Sequence, residues 1–285
     1  MVVSSRARAA LEVASEVVSG LGVSFDAARV LRDRSNVIIA FDERLVARVP
    51  GSVGSVRPGD AWMRREVAVA SFLARRGAPV VGPTELADPG PHAHGDTFVT
   101  LWQFEPTVEK VDPLAAGRAL RVCHEMLEDL DVAVVEGHNA LDEALRLLDT
   151  DVMPFTGEER TVLRDWGRRA QAALAGEPVQ VVHGDAHLGN VLASARGPLW
   201  NDWEDTHAAS RAWDLGCLHA PAILGWDDGD EVAAMAYGDA PEGVEAATRG
   251  RLVQAVVWTA VAAAFRREGP ERARDLLMRV SLGTA

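Results

Sequence analysis

Apolar residues follow two different spacings along the chain, and the change comes near residue 105. Before that point, short apolar segments rich in β-branched residues are separated by polar turns, which is the pattern of antiparallel strands. After that point, apolar residues recur at helical intervals over long stretches. The chain therefore predicts an α+β protein, with a small antiparallel sheet in its N-terminal part and a larger, mainly helical C-terminal part.

In the N-terminal part, the pattern predicts one helix at residues 6–18 and a second at residues 61–76. A polar connection at residues 42–44 separates two of the apolar segments and is typical of a hairpin. The Gly- and Ser-rich residues 51–59 predict a mobile loop. The predicted strands of this part are residues 28–31, 37–41, 45–49 and 97–102.

In the C-terminal part, three short predicted strands, at residues 179–182, 191–193 and 198–200, each end in polar residues. Catalytic groups are often found where a strand ends and a loop begins. The change of spacing predicts two units, an N-terminal unit at residues 1–104 and a helical unit at residues 105–285. The predicted helices of the second unit are residues 113–130, 139–148, 157–174, 251–266 and 270–280.

Charge and composition restrict the kinds of partner that the chain is expected to bind. Its 42 acidic and 29 basic residues give a formal net charge of −13, which disfavours nucleic acid and favours a small cationic substrate.

No run of about 20 apolar residues and no signal-peptide pattern is found, so we expect a cytoplasmic protein without membrane contact. The two cysteines, Cys123 and Cys217, do not have the number or spacing of a disulfide framework or a zinc site, and we expect both to be buried.

The most informative segment follows the first of the short C-terminal strands. Residues 183–190 have the sequence His-Gly-Asp-Ala-His-Leu-Gly-Asn, and residues 201–204, after the next strand pair, have the sequence Asn-Asp-Trp-Glu. The two segments resemble the aminoglycoside phosphotransferase and choline kinase family, whose pattern is H-G-D-x-x-x-x-N, a short hairpin, and then I-D-W-E or I-D-F. Residues 212–215, Ala-Trp-Asp-Leu, resemble the A-W-D-L of the same family. The resemblance implies the two-lobed, protein-kinase-like fold.

The resemblance also implies a role for each polar residue of these segments. Phosphoryl transfer requires charge neutralisation, alignment and a group that orients the attacking hydroxyl. At the family's positions, Asp185 would orient the acceptor hydroxyl, while Asn190 and Asp202 would bind Mg²⁺, which prefers oxygen ligands. His183 would support the loop through hydrogen bonds, and Asp214 would brace it.

Two other interpretations of the same residues remain open at this point. His183, Asp185 and His187 occupy alternate positions, a spacing that also suits a transition metal in a hydrolase, although no further His-rich cluster supplies the remaining ligands. Asp and Asn near a His-Gly turn are also common turn or helix-cap residues. We favour phosphoryl transfer, because the motif has the strand-loop-strand context that it requires.

The N-terminal part contains candidates for nucleotide binding. The resemblance places Arg48, on the third predicted strand, where protein kinases have a phosphate-binding lysine, and it makes Glu66 of the next helix its partner. Lys110 is the only lysine and lies far along the chain from that strand. The other candidates are Ser35 and Asn36 at the phosphate-covering turn, and Gln103, Phe104 and Glu105 at the hinge that would bond the base.

The predicted acceptor pocket lies in the helical part, beside Asp185. Its candidate residues are His187, Glu204 and Asp205, and the acidic residues 227–231 either belong to it or form a solvated loop. The resemblance implies a small-molecule kinase that uses Mg²⁺ and transfers the γ-phosphate of ATP or GTP to a hydroxyl of an acceptor such as an aminoglycoside, with antibiotic resistance as a possible role. The alternative is a catalytically inactive nucleotide-binding or interaction module with the same fold. We expect a monomer or a homodimer.

Overall fold

The N-terminal part contains a five-stranded antiparallel sheet. Its strands are β1 (Ala28–Asp33), β2 (Asn36–Phe41), β3 (Leu45–Pro50), β4 (His92–His94) and β5 (Thr97–Gln103). The order across the sheet is β1-β2-β3-β5-β4. The predicted hairpin at residues 42–44 joins β2 to β3. The structure is a computed structural model, and it describes residues 4–108, 110–151 and 153–283.

The first helix, α1 (Ser5–Gly20), packs against this sheet. Its buried residues, Ala7, Ala10, Ala14 and Val18, recur every three or four positions and therefore lie along one face of the helix. They form one apolar cluster with the buried residues of β2, β3 and β5. Removal of this apolar surface from water holds α1 on the sheet.

The C-terminal part is mainly helical, as the spacing predicts. Its helices are α3 (Pro113–Leu127), α4 (Ala140–Leu147), α5 (Gly157–Leu174), α6 (Ala212–Leu224), α7 (Asp230–Tyr237), α8 (Val244–Arg266) and α9 (Glu271–Gly283). Helix α8 packs against α4, α5, α6 and α9. Its central position agrees with its sequence, because residues 252–257 are all buried. None of the described helices is both long enough and apolar enough to span a bilayer.

Two short antiparallel strand pairs position the loops of the predicted motif. Strand β6 (Gln180–Val182) pairs with β9 (His207–Ala209), and β7 (Val191–Ser194) pairs with β8 (Gly197–Trp200). Residues 183–190 join β6 to β7, and residues 201–206 join β8 to β9. Because both loops run from one strand pair to the other, they lie side by side. The predicted α+β class is confirmed.

The β7–β8 pair also connects the two parts of the chain. After α2 (Ala61–Arg75), the backbone N–H of Val81 donates to the Trp200 carbonyl at 2.9 Å, and the Trp200 N–H donates to the Pro79 carbonyl at 2.9 Å. The Trp200 indole is fully buried, and its Nε1 donates to the Ala116 carbonyl of α3 at 3.1 Å. These bonds hold the 201–206 loop next to the N-terminal part.

Candidate active site

A glycine allows the 183–190 loop to approach the 201–206 loop. Gly184 has φ +88°, in the left-handed region that favours glycine. A Cβ atom at this position would overlap the backbone carbonyl of Asp205. The indole Nε1 of Trp213 donates to the Gly184 carbonyl at 2.9 Å and fixes its orientation. Any larger residue would therefore separate the two loops.

Asp214, on the first turn of α6, braces the start of the 183–190 loop. Its carboxylate accepts the backbone N–H groups of His183 at 2.7 Å and Gly184 at 2.8 Å, and it lies 2.8 Å from His124 Nε2. Asp214 is fully buried. Burial alone would raise the pKa of this carboxyl, but the His124 hydrogen bond and charge and the loop N–H groups hold it below its ordinary value. The prediction that Asp214 braces the loop is confirmed.

Asp230, the first residue of α7, braces the far end of the same loop. Its carboxylate accepts the backbone N–H of Leu188 at 2.6 Å, and the residue is 3% exposed. Burial raises the pKa of this carboxyl, against the effect of its hydrogen bonds. Residues 227–231 were expected to line the pocket or to be solvated, whereas Asp230 is buried and supports the loop backbone.

The carboxylate of Asp185 has a different neighbour on each oxygen atom. Oδ1 forms an ion pair with Nη2 of Arg251, on α8. Oδ2 accepts from Asn190 Nδ2 at 3.2 Å and lies 3.5 Å from His187 Nε2. Burial favours the neutral acid, but Arg251 and then His187 favour the carboxylate more strongly and hold the pKa of Asp185 below its ordinary value. Asp185 is therefore ionised at neutral pH.

Asn190 and Asp202 are brought together by the β7–β8 pair. Val191, the first residue of β7, lies opposite Trp200, the last residue of β8. Asn190 and Asn201 therefore flank the pair, and the Asn201 N–H donates to the Asn190 carbonyl at 3.0 Å. Asp202 follows directly with φ +65°, an uncommon conformation for a non-glycine residue that is often found at functional sites.

The oxygen atoms of Asn190 and Asp202 suit a hard divalent cation. Asp202 Oδ1 is buried and accepts no hydrogen bond from the described residues, although Arg48 Nη1 lies 3.2 Å away. Asn190 uses its amide nitrogen to bond both the Asp185 carbonyl, at 2.9 Å, and the Asp185 carboxylate. Its amide oxygen is thus the atom left for a ligand. One carboxylate and one amide oxygen, completed by water and phosphate, match the preference of Mg²⁺.

Arg48 lies at the centre of a buried group of carboxylates. Its guanidinium forms ion pairs with Glu66 and Glu204 and lies 3.2 Å from Asp202. Arg48 and Glu66 are thus in contact, as the family resemblance implies. Burial raises the pKa of Glu66 to about 7, an effect that Arg48 opposes and Asp202 reinforces. Through these contacts, Arg48 of β3 joins its strand to α2 and to the 201–206 loop.

A cleft of about 410 Å³, partly open to solvent, lies beside this group. Such a volume accommodates a nucleotide. The residues that line the cleft include all seven predicted nucleotide-binding residues and one of the two predicted metal ligands. These are Ser35, Asn36, Arg48, Glu66, Gln103, Phe104, Glu105 and Asp202.

The predicted hinge has free backbone groups at two of its three residues. The N–H of Gln103 is already donated to the Gly82 carbonyl, at 2.9 Å. Within the described ranges, the backbone N–H groups of Phe104 and Glu105 make no backbone hydrogen bond. The Glu105 side chain forms an ion pair with Arg196. Phe104 and Glu105 are therefore the hinge residues whose backbone is available to a base.

The turn between β1 and β2 is held against the end of β3. The N–H of Ser52 donates to the Ser35 carbonyl at 3.0 Å. A Cβ atom at Gly51 would overlap that same carbonyl, so glycine is required for this contact. Asn36 Nδ2 donates to Glu204 at 3.2 Å, and both residues are buried. The turn that carries Ser35 and Asn36 is thus tied to the 201–206 loop.

The three residues predicted for the acceptor pocket differ in their surroundings. His187 is partly exposed beside Asp185, and its Nδ1 accepts the Gly189 N–H at 3.0 Å. Glu204 and Asp205 are 9% and 8% exposed, and each forms an ion pair with an arginine. Both carboxylates are therefore buried and held by arginines inside the protein, rather than presented to a cationic acceptor.

Arg57 is the arginine that pairs with Asp205, and it lies in the 51–59 loop. Its Nε and Nη2 atoms donate to both oxygens of Glu143 on α4, at 2.8 and 2.5 Å. Its Nη1 donates to the Glu204 carbonyl at 3.2 Å, and its guanidinium lies 5.2 Å from the Trp258 ring. Arg57 is 7% exposed. This segment was predicted to be a mobile loop, but its arginine is buried and joins the N-terminal part to the helical part.

The hydrolase interpretation requires His183, Asp185 and His187 to share one metal. His183 is fully buried, its Nδ1 accepts the Asp185 N–H at 3.3 Å, and its Nε2 lies 3.0 Å from the Asn201 carbonyl. Both of its ring nitrogens are therefore occupied. Among the described residues, the group with metal-ligand spacing is His138, Glu143 and Asp205, and both of its carboxylates are already ion-paired with the guanidinium of Arg57.

His138 provides a test of how the fold responds to acid. Burial, and then Arg57, lower the pKa of His138 to about 2 from an ordinary value of 6.5. Below about pH 6.5 the unfolded chain binds a proton at this residue that the folded protein does not, so stability falls as the pH falls. Between about pH 7.5 and about pH 5.5, this single residue should account for about 1 kcal/mol of lost stability.

The measurement is urea denaturation of the wild type and of His138→Gln at both pH values. We expect a smaller loss of stability in the variant, because glutamine does not titrate. His94→Gln, at a more exposed imidazole, is the control and should behave as the wild type. An equal loss in all three proteins would show that His138 is not the group that titrates.

Three of the residues that hold this site were not predicted from the sequence, namely Arg57, Asp230 and Arg251. The Gly and Ser residues around Arg57 indicate a flexible loop and not a buried ion pair. Asp230 is one of several neighbouring acidic residues, and the sequence does not distinguish it from the others. Arg251 had a recognisable signal. It is a charged residue that begins the strongly apolar segment of α8, where a charge is costly without a partner.

The fold and the site define a protein-kinase-like phosphotransferase. The chain matches the model of the phosphotransferase enzyme family over residues 22–252. The protein therefore belongs to this family, and the resemblance carried by residues 183–190 and 201–204 is confirmed. No curated protein matches the chain.

Solved structures of small-molecule kinases share the fold over nearly the whole chain. The amicoumacin kinase hAmiN, in complex with AMP-PNP, Ca²⁺ and Ami, has a TM-score of 0.72 at 13% identity, with 98% of this chain and 95% of that chain covered. The GDP and kanamycin complex of APH(2")-IIia has a TM-score of 0.68 at 15% identity, with 96% and 100% covered. Choline kinase LicA from Streptococcus pneumoniae has a TM-score of 0.65 at 13% identity, with 96% and 98% covered. The predicted protein-kinase-like fold is thereby confirmed.

Proposed function

We propose that the protein is a small-molecule kinase that transfers the γ-phosphate of ATP or GTP to a hydroxyl group of its acceptor. The observation that carries the proposal is the contact between Asp185 and Asn190, next to a strand pair that places Asp202 on the nucleotide-sized cleft. A base, an amide oxygen and a charged metal ligand are the groups that phosphoryl transfer requires. The protein supplies all three from two adjoining loops.

The nucleotide is proposed to bind in the cleft between residues 1–104 and residues 105–285. Backbone groups of Phe104 and Glu105 bond the base, and backbone groups of Ser35 and Asn36 cover the phosphates. Arg48 binds a phosphate through its guanidinium, which Glu66 orients. A guanidinium can bond phosphate oxygens in pairs, which the lysine of protein kinases cannot do.

Asn190 and Asp202 are proposed to hold Mg²⁺. When bound, the ion neutralises the charge that develops on the transferring phosphoryl group. Asp202 contributes the negative charge and Asn190 a neutral oxygen. Asp185 is proposed to stay outside the metal site, with Oδ1 bound by Arg251 and Oδ2 beside the Asn190 amide nitrogen.

Asp185 is proposed to orient the acceptor hydroxyl and to receive its proton. Its lowered pKa keeps it ionised, so that it accepts a hydrogen bond over the physiological pH range. His187 lies on the accessible side of this carboxylate and contacts the acceptor. Hydroxyl-bearing antibiotics are the first acceptors to test, because two relatives in fold are described with Ami and with kanamycin. We further propose that the protein acts in the cytoplasm.

Asp202 gives a prediction that does not require the acceptor to be known. Replacement by alanine should weaken magnesium-dependent nucleotide binding by about 10- to 100-fold, because the charged ligand is lost. Titration calorimetry with ATP and GTP, each with and without Mg²⁺, measures this change. Asp129→Ala, at an exposed carboxylate, should bind as the wild type. Equal affinity in both variants would reject Asp202 as a metal ligand.

The test of the function is a nucleotide-consumption assay on the purified protein. The acceptor panel contains aminoglycosides, macrolides, choline and small hydroxyl metabolites, each with ATP and with GTP. We expect consumption that depends on Mg²⁺ and on one class of acceptor. Magnesium-dependent nucleotide binding without turnover on any member would instead identify an inactive nucleotide-binding module.

A further inference from the structure

Arg251 is a charged residue within the strongly apolar part of α8. The six residues that follow it are buried, and its own side chain is 13% exposed. A guanidinium in such a position needs a partner of opposite charge, because burial of an unpaired charge is costly. Its partner is the carboxylate of Asp185.

The guanidinium is itself held in one orientation by a neighbour on the same helix. Arg251 Nη1 donates to Gln254 Oε1 at 2.8 Å, while Nη2 contacts Asp185 Oδ1. Gln254 is fully buried. A planar guanidinium with two fixed contacts cannot rotate freely. The position of the Asp185 carboxylate therefore depends on the position of α8.

The contact also makes the two oxygens of Asp185 unequal. Oδ1 is bound by Arg251, and Oδ2 lies beside Asn190 and His187 in the 183–190 loop. An acceptor hydroxyl must approach a carboxylate oxygen within hydrogen-bond distance and with correct alignment. A carboxylate anchored through one oxygen presents the other in a single orientation.

This anchor comes from outside the two loops that carry the motif. Asp214 and Asp230 bind the backbone of the 183–190 loop, whereas Arg251 binds the reacting side chain. The backbone braces keep the loop in place but do not contact the carboxylate. Asn190 holds Oδ2 from within the loop and Arg251 anchors Oδ1 from α8, so the orientation of Asp185 depends on α8 as well as on the loop.

We propose that Arg251 is a positioning residue for phosphoryl transfer, acting through Asp185. It anchors Oδ1 so that Oδ2 faces the acceptor hydroxyl. This inference rests on the proposed function and adds a residue to its machinery.

The test compares Arg251→Ala with the wild type, using the acceptor that the panel identifies. We expect kcat to fall by about 100-fold, because alignment of the base is lost, and the KM for nucleotide to change by less than about twofold, since Arg251 does not line the nucleotide cleft. Guanidinium ion added at low-millimolar concentration should occupy the space that the arginine side chain leaves in Arg251→Ala and should raise its kcat by about tenfold. A merely structural loss would not be rescued by a small cation.

Arg249→Ala is the matched control, two residues away on the same helix. Its side chain is exposed and pairs with Glu245, so neither kcat nor the response to guanidinium should differ from the wild type. Arg251→Lys is the second variant in case alanine does not fold. It keeps the charge but not the fork geometry, and we expect intermediate kcat with wild-type nucleotide affinity.

The outcomes separate this inference from the function on which it rests. If the wild type transfers phosphate and Arg251→Ala or Arg251→Lys retains full kcat, Arg251 has no positioning role, while the proposed function stands. A fall in kcat that guanidinium does not rescue, accompanied by lost nucleotide affinity, also rejects the role. If the wild type transfers phosphate to no acceptor, the function itself fails and the role of Arg251 fails with it.

Discussion

Replacing Asp185 with asparagine is expected to lower kcat for phosphoryl transfer by about 10²- to 10⁴-fold, the usual contribution of a general base. Asparagine has the same shape and keeps an oxygen for the Arg251 contact, but it lacks the charge that orients and accepts the hydroxyl proton. Nucleotide affinity should remain close to that of the wild type, because Asp185 does not line the nucleotide cleft. Steady-state kinetics on the identified acceptor and calorimetry with magnesium and nucleotide measure the two quantities.

Asp228→Asn is the control for this substitution. Asp228 is an exposed carboxylate in the loop before α7, and its loss should leave both quantities unchanged. If Asp185→Asn retained the wild-type kcat, Asp185 would not act as the base. If Asp185→Asn lost nucleotide affinity in parallel with kcat, a distorted 183–190 loop, and not the loss of a proton acceptor, would explain the lower kcat.

The largest expected effect on stability comes from Arg57. Replacement by methionine should lower the free energy of unfolding by about 3–5 kcal/mol, because Glu143 and Asp205 would keep buried negative charges without a partner. Methionine preserves much of the volume, so a cavity contributes little. Urea denaturation monitored by circular dichroism gives the free energy, and Arg64→Met is the control.

Arg64 is an exposed residue whose ion pair with Asp60 lies within one helical turn. Its loss should cost about 0.5 kcal/mol or less. The double variant Arg57→Met/Glu143→Gln should recover part of the stability lost in Arg57→Met, because one uncompensated charge is removed. A cost for Arg57→Met no larger than that for Arg64→Met would show that Arg57 does not hold the two parts together.

Where local sequence determines structure, prediction from the sequence was accurate. Helix α5 begins and ends at the predicted residues, because Thr156 and Glu159 form a capping box that defines its start. The predicted metal ligands Asn190 and Asp202 lie next to the two ends of one short hairpin, so their proximity follows from strand pairing. The contact of Arg48 with Glu66 is the one that the family resemblance implies.

Where the partner of a residue lies far along the chain, the sequence did not reveal the contact. Glu204 was expected to face a cationic acceptor, but Arg48, 156 positions away, binds it. Asp205 is bound in the same way by Arg57, 148 positions away. Such pairs depend on how the sheet and the helices pack, and no local pattern encodes them. The same reason applies to Arg251 and Asp185, which meet only when α8 packs against the 183–190 loop.

The most direct test of the central claim is phosphorus NMR of the protein with Mg²⁺, nucleotide and the acceptor panel. We expect a new phosphate monoester signal that requires Mg²⁺ and that is absent when Asp185 is replaced by alanine. A protein that binds magnesium and nucleotide but yields no monoester with any acceptor would contradict the central claim. So would a monoester that forms equally well without the Asp185 carboxylate.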